Sequence, residues 1–431
     1  MKIEDMAKNA KSASIVLAAA GTDEKNSALQ AVAVALKARS DEIIAANNKD
    51  LEESRKNSLA EPLMKRLKFD ENKIQDVTAG IQSLIGLPDP VGETRDATEL
   101  DSGLELFRVS CPIGVIGVIF ESRPDALVQI STLCLKSGNA VLLKGGSEAI
   151  NTNRILAEII TAASESAGMP SGWIQLLETR SEVSDMLKMD SYIDLIIPRG
   201  SNEFVRYIMD NSNIAVMGHA DGICHVYVDA DADPDMAEAV CVDSKCQYVA
   251  VCNAAETLLV HEQIAGSFLP RIKGALEKCN VQLYGCPRTA EIIEVKPAAE
   301  DQWGTEYLDY AISVRVVSGM DQAIEHINTW GSGHTDSIVT GNRNTAARFI
   351  SLVDSGNVFW NCSTRFSDGY RYGLGAEVGI STGKIHARGP VGLEGLVIYK
   401  FILMGSGQTV KEYADGTRSF THKKLDAEFG L

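Results

Sequence analysis

Residues 114–144 read GVIGVIFESRPDALVQISTLCLKSGNAVLLK. The run 114–120 is apolar and mostly β-branched, as expected of a strand buried on both faces. Residues 124–136 predict a helix that ends near Gly138, which suits a helix C-cap. The run 140–144 predicts the next buried strand. This order of strand, helix and strand predicts a parallel α/β unit, the usual host of dinucleotides.

The same alternation continues toward the C-terminus. Residues 174–177 and 192–197 predict two more strands. A second α/β block begins at residue 236 and continues to about residue 354. The segment 1–85 is predicted to be helical, with Asp70 capping its last helix.

Two further strands are predicted outside these blocks, at residues 104–109 and 393–404. Exposed sheet edges seek partners, so we expect these strands to pair with another subunit. A homo-oligomer is therefore expected, and the sequence leaves dimer and tetramer both open.

The composition is that of a globular enzyme, with 45% hydrophobic and 23% charged residues among 431. A net charge of -17 argues against nucleic acid and anionic membranes as partners. The N-terminus lacks a signal peptide and no apolar run is long enough to span a bilayer, so we expect a cytoplasmic protein. Nine irregularly spaced cysteines and scattered histidines predict free thiols and no metal site.

No G-x-G-x-x-G string follows any predicted strand. Two glycine turns follow strands instead, one running from Lys144 to Ser147 and the other containing Pro198, Gly200 and Ser201. Strand ends and helix N-termini of this kind bind phosphate groups. Each turn is either such a site or an ordinary connection between strand and helix.

Cys252 lies between a predicted helix and a predicted strand, where backbone N–H groups can stabilise a thiolate and later an oxyanion. The alternative is a buried, inert thiol, and Cys246 is a direct rival. Arg365 lies in a loop rich in hydroxyl groups, where it either binds a carboxylate or is simply solvated. The residue pattern alone leaves these alternatives open.

Four strings carry a resemblance to a known family: PRG (198–200), GHADGICHVYVD (218–229), CNAAETLLVH (252–261) and GAEVGIST (375–382). Together they resemble the gamma-glutamyl phosphate reductases of the aldehyde dehydrogenase superfamily, and they are also similar to the reductase half of pyrroline-carboxylate synthases. The resemblance spans nearly the whole chain.

The resemblance implies an α/β fold of the aldehyde dehydrogenase type. It implies a Rossmann-type NADP-binding domain formed by residues 1–95 and 112–240, and an α/β catalytic domain formed by residues 241–390. It also implies a small β oligomerisation flap formed by residues 96–111 and 391–412.

The resemblance also implies a reaction. Cys252 falls on the family nucleophile and Cys246 becomes a bystander. The thiolate would attack gamma-glutamyl phosphate, release phosphate and form a thioester, which hydride from NADPH reduces to glutamate 5-semialdehyde on the route to proline. A glutamate kinase that hands over the labile acyl phosphate is a candidate partner.

The cofactor residues also follow from the resemblance. NAD-preferring relatives often carry a glutamate three residues beyond the ribose-binding lysine, whereas here Lys144 is followed by Ser147. Removing that carboxylate leaves room for a 2′-phosphate, so NADP is expected. Glu377 matches a glutamate that contacts the nicotinamide ribose.

The expected substrate residues depart in part from the wider superfamily. Arg365 is expected to bind the α-carboxylate, and Asn253 with the Cys252 N–H to bind the oxyanion. The usual oxyanion asparagine is replaced near Ser122. Arg123 either serves the substrate or forms a structural ion pair.

His219 aligns with the glutamate that activates water in hydrolytic aldehyde dehydrogenases. Its presence predicts a thioester that reacts with hydride or phosphate and hydrolyses slowly. This departure and the CNAAET string argue against a hydrolytic or CoA-acylating enzyme. Retention of Cys252 and Glu377 argues against a catalytically silent scaffold protein.

Overall fold

The structure is a computed structural model of the 431-residue chain. It describes residues 2–59, 61–121, 123–179, 181–219, 221–375 and 377–430.

The described residues form seventeen strands in four sheets. In chain order the strands are β1 (Thr94–Asp101), β2 (Leu104–Pro112), β3 (Val115–Phe120), β4 (Ala140–Lys144), β5 (Ile174–Leu177), β6 (Leu195–Arg199), β7 (Cys224–Val228), β8 (Ala255–His261), β9 (Gln282–Gly285), β10 (Lys296–Pro297), β11 (Ala311–Val317), β12 (Thr335–Val339), β13 (Asn357–Trp360), β14 (Gly379–Ser381), β15 (Gly389–Val391), β16 (Val397–Met404) and β17 (Lys423–Lys424).

Fifteen α-helices and four short 3-10 helices connect these strands. The α-helices are α1 (Ile3–Leu17), α2 (Thr22–Ala38), α3 (Ser40–Lys56), α4 (Glu61–Leu67), α5 (Glu71–Ile85), α6 (Pro124–Lys136), α7 (Ile150–Ser166), α8 (Ser181–Met186), α9 (Asn202–Asn211), α10 (Pro234–Cys246), α11 (Glu262–Lys278), α12 (Pro287–Ala290), α13 (Met320–Trp330), α14 (Arg343–Leu352) and α15 (Val410–Ala414). The 3-10 helices are Ser147–Ala149, Glu300–Gly304, Thr364–Phe366 and Leu393–Leu396.

Residues 114–144 contain β3 and β4, the two central strands of a parallel sheet in the order β5-β4-β3-β6. Every residue of β3 is buried, and α6 begins and ends at the predicted residues. Gly138 has φ +73°, so the expected glycine follows the helix end. The strand predicted at 192–197 begins only at Leu195, because a turn occupies the residues before it.

The N-terminal segment is helical, as the spacing of its apolar residues predicts: α1 packs against β3, β4 and β5, whereas α2, α3 and α5 pack against α6 and α7. Leu29, Ile81 and Leu133 belong to one buried core with the strands of the sheet. The Asp70 carboxylate accepts the Lys73 N–H at 3.2 Å, which confirms the predicted cap.

A second sheet has seven parallel strands in the order β10-β9-β11-β8-β7-β12-β13. Strand β7 lies between β8 and β12, and all of its residues are buried. The three strands therefore begin side by side at one end of the sheet.

A third, antiparallel sheet has the order β16-β2-β1-β17. The two predicted outer strands pair with each other in this chain, with Ile402 opposite Phe107. The predicted strand 393–404 begins only at Val397, because residues 393–396 form a 3-10 helix. Strand β1 was not predicted, because its sequence TRDATELD is polar and mostly half-exposed. Pairing of this sheet with another subunit stays a prediction.

Among the described helices, none combines the length and the apolar character that a membrane span requires.

Candidate active site

The candidate site lies where β7, β8 and β12 begin. Cys252 precedes β8, and His334 immediately precedes β12. Thr257 of β8 and Asp336 of β12 both lie opposite His225 of β7, so the loops that lead into these strands meet at one end of the sheet. The nucleophile candidate is therefore at the amino ends of the strands.

Cys252 Sγ lies 3.2 Å from His334 Nε2. His334 is fully buried, and its Nδ1 lies 2.7 Å from the Thr335 hydroxyl oxygen. Burial holds the pKa of His334 well below its usual range, so the ring is neutral. A neutral Nε2 beside a thiol can accept the thiol proton. The sequence reasoning missed His334, since 82 residues separate it from Cys252 and no local spacing links them.

His219 stands beside the same pair. Its ring centroid lies 5.0 Å from that of His334 in an edge-to-face arrangement. His219 Nδ1 lies 3.0 Å from the carbonyl oxygen of Ile380, so Nδ1 carries a proton and donates it. Burial also lowers the pKa of His219, so this ring is neutral as well. One ring nitrogen of each histidine and the Cys252 sulfur lie within 4.8 Å of one another.

The Cys252 thiol is protonated at neutral pH in the unliganded chain. Burial raises its pKa to about 12, and the nearby carboxylates of Glu306 and Glu377 add to the shift. Arg199 opposes the shift by favouring the thiolate. The local charge balance therefore controls how readily this sulfur reacts.

The backbone around Cys252 is tightly held. A Cβ added to Gly222 would lie 2.4 Å from Cys252 Cα and 2.2 Å from its carbonyl oxygen, so only glycine fits there. The Cys224 thiol donates to the same carbonyl at 3.2 Å. The loop before β7 thus positions the loop before β8.

Asn253 joins the nucleophile loop to the segment after β13. Its side-chain amide donates to the Ser367 carbonyl at 2.7 Å, and the Thr364 hydroxyl donates to the Asn253 carbonyl at 2.7 Å. One of the two side-chain N–H groups of Asn253 is therefore already hydrogen-bonded within the chain. The expected oxyanion role of Asn253 stays a prediction.

The charges of two arginines, Arg199 and Arg365, interact with the Cys252 sulfur. Arg365 follows β13, is 7% exposed and donates from Nε to Gln247 Oε1 at 2.9 Å. Arg199 ends β6 of the other parallel sheet and was not singled out from the sequence. Burial lowers the pKa of both guanidinium groups, and the Cys252 sulfur counteracts this in each case. Within the described part of the chain, neither has a carboxylate partner within 4.0 Å. They are therefore available to an anionic ligand.

The remaining substrate candidates are less central. Arg123 is exposed and forms an ion pair with Asp125 at 3.5 Å. This is the structural ion pair that was one of the two alternatives for Arg123. Ser122 lies outside the described residues.

Cys246 ends α10 and interacts with the Cys279 thiol, while burial raises its pKa to about 12. The rival cysteine thus has no histidine partner among the described contacts.

A cradle for an anion lies at the carboxyl edge of the first sheet. The Ser201 N–H at the start of α9 donates to Glu121 Oε2 at 3.2 Å, so a carboxylate already lies where a phosphate group would bind. A Cβ on Gly200 would lie 2.7 Å from that oxygen. Pro198 precedes this turn at the end of β6.

The second glycine turn follows β4 at the same edge. Lys144 is buried and donates to the Gly145 carbonyl, and Ser147 begins the following 3-10 helix. A Cβ on Gly145 would lie 2.1 Å from the Asn153 side chain. Asn153 Oδ1 is buried without a hydrogen-bond partner.

Glu377 interacts electrostatically with Arg199 at the edge of the first sheet and with Cys252. Its Oε2 accepts the Gly369 N–H at 2.8 Å. Burial raises its pKa, and Arg199 partly offsets that effect. The edge of the first sheet and the start of the second thus meet at one cleft.

Comparison with known proteins gives this architecture a family. Residues 1–289 match the model of the aldehyde dehydrogenase family, and the chain belongs to that family of oxidoreductases. A gamma-glutamyl phosphate reductase from Acetivibrio thermocellus is 68% identical over 431 residues, which cover 100% of both chains. Within the family, the chain therefore belongs with the gamma-glutamyl phosphate reductases.

Solved structures agree with the fold. The crystal structure of a gamma-glutamyl phosphate reductase from Thermotoga maritima has a TM-score of 0.93 and 42% identity, covering 95% of this chain and 100% of that one. A glyceraldehyde-3-phosphate dehydrogenase from Methanocaldococcus jannaschii, complexed with NADP, has a TM-score of 0.65 and 18% identity, covering 94% of each chain. The predicted aldehyde dehydrogenase-like fold is confirmed.

Proposed function

We propose that this chain reduces gamma-glutamyl phosphate to glutamate 5-semialdehyde with NADPH, through a thioester on Cys252, in proline biosynthesis. The name of its relative at 68% identity supports the substrate and the pathway. The observation that carries the thioester is the 3.2 Å approach of Cys252 Sγ to His334 Nε2.

The first step needs a sulfur nucleophile and a proton acceptor. A bond forms between Cys252 Sγ and the acyl carbon of the substrate, and the thiol proton passes to His334 Nε2. The bond from the acyl carbon to the phosphate oxygen then breaks. The neutral state of buried His334 suits this acceptor role. Phosphate leaves and the glutamyl group remains on the sulfur as a thioester.

Arg199 and Arg365, which have no carboxylate partner within 4.0 Å among the described residues, match the two anionic ends of the substrate. We assign Arg365 to the α-carboxylate, because its guanidinium is nearly buried and lacks a carboxylate partner among the described residues. Arg199 approaches Cys252 from the other sheet and suits the departing phosphate. The Cys252 N–H and Asn253 remain our candidates for the oxyanion.

The residues at the first sheet edge fit a nicotinamide dinucleotide. Ser201, Gly200 and Pro198 would hold its phosphates at the start of α9, where Glu121 must give way to them. Lys144 would hold the adenosine ribose. Glu377 would hold the nicotinamide ribose beside Cys252. The bound cofactor supplies the hydride that reduces the acyl group.

NADP is proposed because Ser147 removes a carboxylate from the expected 2′-phosphate position. Glu148 follows it directly and folds back over Gly146, so its side chain must turn away when NADP binds. Ser147→Glu should therefore weaken NADPH binding at least about tenfold through like-charge repulsion, while Ser147→Ala should not. A wild-type preference for NAD at equal concentration would contradict the proposal.

The environment of the thioester disfavours hydrolysis. His219 stands beside Cys252 where hydrolytic enzymes carry a glutamate, so a neutral imidazole and not a carboxylate occupies that position. Free glutamate should therefore form slowly from the semialdehyde in phosphate-free buffer. Equal rates of glutamate release with and without phosphate would contradict this.

The decisive experiment measures phosphate-dependent reduction of NADP by glutamate 5-semialdehyde. Wild type and the control Cys246→Ala should be active, whereas Cys252→Ala should be inactive. A trapped glutamyl adduct on the Cys252 peptide, found by mass spectrometry, would identify the thioester. Absence of activity in the wild type, or full activity in Cys252→Ala, would overturn the proposal.

We also propose that the antiparallel sheet mediates self-association. Tyr399, Phe401 and Leu403 of β16 are exposed, and a second copy of the chain would cover their apolar face. The mass in solution tests this, and a monomer at micromolar concentration would contradict it.

A further inference from the structure

We propose that Cys252, His219 and His334 form a site for a thiophilic divalent cation of the zinc class, which reversibly blocks the nucleophile. The inference goes beyond the proposed reaction. It rests on three potential ligand atoms, one sulfur and two imidazole nitrogens, that lie within 4.8 Å of one another.

The ligand types suit zinc. Cysteine sulfur and histidine nitrogen are its usual protein ligands, and a tetrahedral ion holds neighbouring ligand atoms about 3.5 Å apart. Cys252 Sγ and His334 Nε2 are already 3.2 Å apart. A His219 ring nitrogen lies within 4.8 Å of both atoms, so a small movement of this ring would complete the set.

Each histidine makes a further polar contact through Nδ1, as imidazoles that bind a metal usually do. His219 Nδ1–H donates to the Ile380 carbonyl, which leaves the lone pair of the neutral ring on Nε2. His334 Nδ1 contacts the Thr335 hydroxyl, so its Nε2 is the nitrogen directed at the sulfur. Such outer contacts fix the tautomer and orientation of ligating imidazoles.

Three protein ligands leave a fourth position toward the cleft, because Cys252 is only partly buried. Binding replaces the thiol proton with the metal, and the proton passes to solvent. The sulfur lone pair then engaged by the metal is the one needed to attack a substrate. The bound cation should thus prevent thioester formation, and a chelator that removes the cation should restore thioester formation.

The test uses Co²⁺ as a spectroscopic probe on the full reduced chain, without substrate, so its outcome is independent of the proposed reaction. Wild type should bind one Co²⁺ with a sulfur-to-cobalt charge-transfer band in the near ultraviolet, and Zn²⁺ should displace it. Cys252→Ser should lose the band. His219→Gln should weaken Co²⁺ binding at least about tenfold, since even outer contacts contribute 10–100-fold to metal affinity.

Cys246→Ser is the matched control, because Cys246 and Cys279 form a competing pair of thiols. It should bind Co²⁺ as the wild type does. Loss of the band in Cys246→Ser with retention in Cys252→Ser would overturn the proposal. Unchanged binding in His219→Gln would also overturn it.

A second measurement avoids substitution at buried positions. Zn²⁺ should slow iodoacetamide labelling of Cys252 at least about tenfold in the wild type, because a coordinated sulfur is not free to react. Labelling of Cys286, on the far side of β11, should not change. Equal labelling of Cys252 with and without Zn²⁺ would contradict the site.

Discussion

The imidazole Nε2 of His334 lies 3.2 Å from the sulfur of Cys252, although the two residues precede different strands, β12 and β8. If His334 accepts the thiol proton, His334→Gln should lower kcat/KM about 10²–10³-fold, in the range that general bases contribute. Acylation of Cys252 should slow by the same factor.

Exposed His386, which contacts the Gly395 carbonyl, provides the control. His386→Gln should keep the wild-type rate and pH profile. If Cys252 of the folded His334→Gln variant is acylated by the substrate at the wild-type rate, His334 is not the proton acceptor.

Alkylation of Cys252 should report its raised pKa. The thiolate is the reactive form, and a pKa of about 12 means that few molecules carry it at neutral pH. The iodoacetamide rate of the unliganded protein should therefore rise about tenfold per pH unit from pH 7 to 10, whereas an ordinary cysteine levels off near its pKa of about 8.5.

A carboxylate near the sulfur contributes to this shift. Glu306→Gln removes a negative charge and should speed alkylation of Cys252 at pH 8, while Glu300→Gln on the exposed neighbouring turn should not. Mass spectrometry of the Cys252 peptide gives the rates. A plateau below pH 9 would show that the pKa is not raised.

Arg365 should contribute to the affinity for substrate. Losing a hydrogen-bonded ion pair to the α-carboxylate should cost about 2 kcal/mol, which is roughly a 30-fold rise in KM for glutamate 5-semialdehyde in Arg365→Met. An aliphatic aldehyde without a carboxylate should be oxidised equally by both enzymes. Arg348→Met, at an exposed ion pair with Asp321, is the control. An equal loss with both aldehydes would point to misfolding of the loop instead.

The buried pair beneath the nucleophile loop should matter for stability. Lys245 Nζ and Glu256 Oε2 are 2.6 Å apart, and both side chains are fully buried. Lys245→Met should lower the free energy of unfolding by about 3–5 kcal/mol, because it leaves a buried carboxylate unpaired. The exposed pair of Lys273 and Glu277 should contribute less than about 1 kcal/mol.

Urea denaturation of Lys245→Met and Lys273→Met measures this difference. The double variant Lys245→Met/Glu256→Leu should recover most of the loss, because it removes both charges. Equal midpoints for the two single variants would show that the buried pair is not strongly coupled.

The sequence determined the elements whose signal is local. The apolar run of β3, the spacing of α6 and the cap at Asp70 follow from hydrophobic periodicity and local hydrogen bonding, so they were predictable. The start of β6 at Leu195 and the polar strand β1 were not, because sheet pairing decides them more than side-chain pattern.

The sequence also singled out Cys252, through a string of residues that resembles a family and not through composition. Only the tertiary structure brought His334 and His219 to that sulfur and directed Arg199 toward it. His334 and His219 precede β12 and β7, and they meet Cys252 because these strands pair with β8 or with each other across long stretches of chain, whereas Arg199 comes from β6 of the other sheet. Local spacing carries no record of such pairing, so the scattered histidines of the sequence do not reveal the cluster that the fold creates.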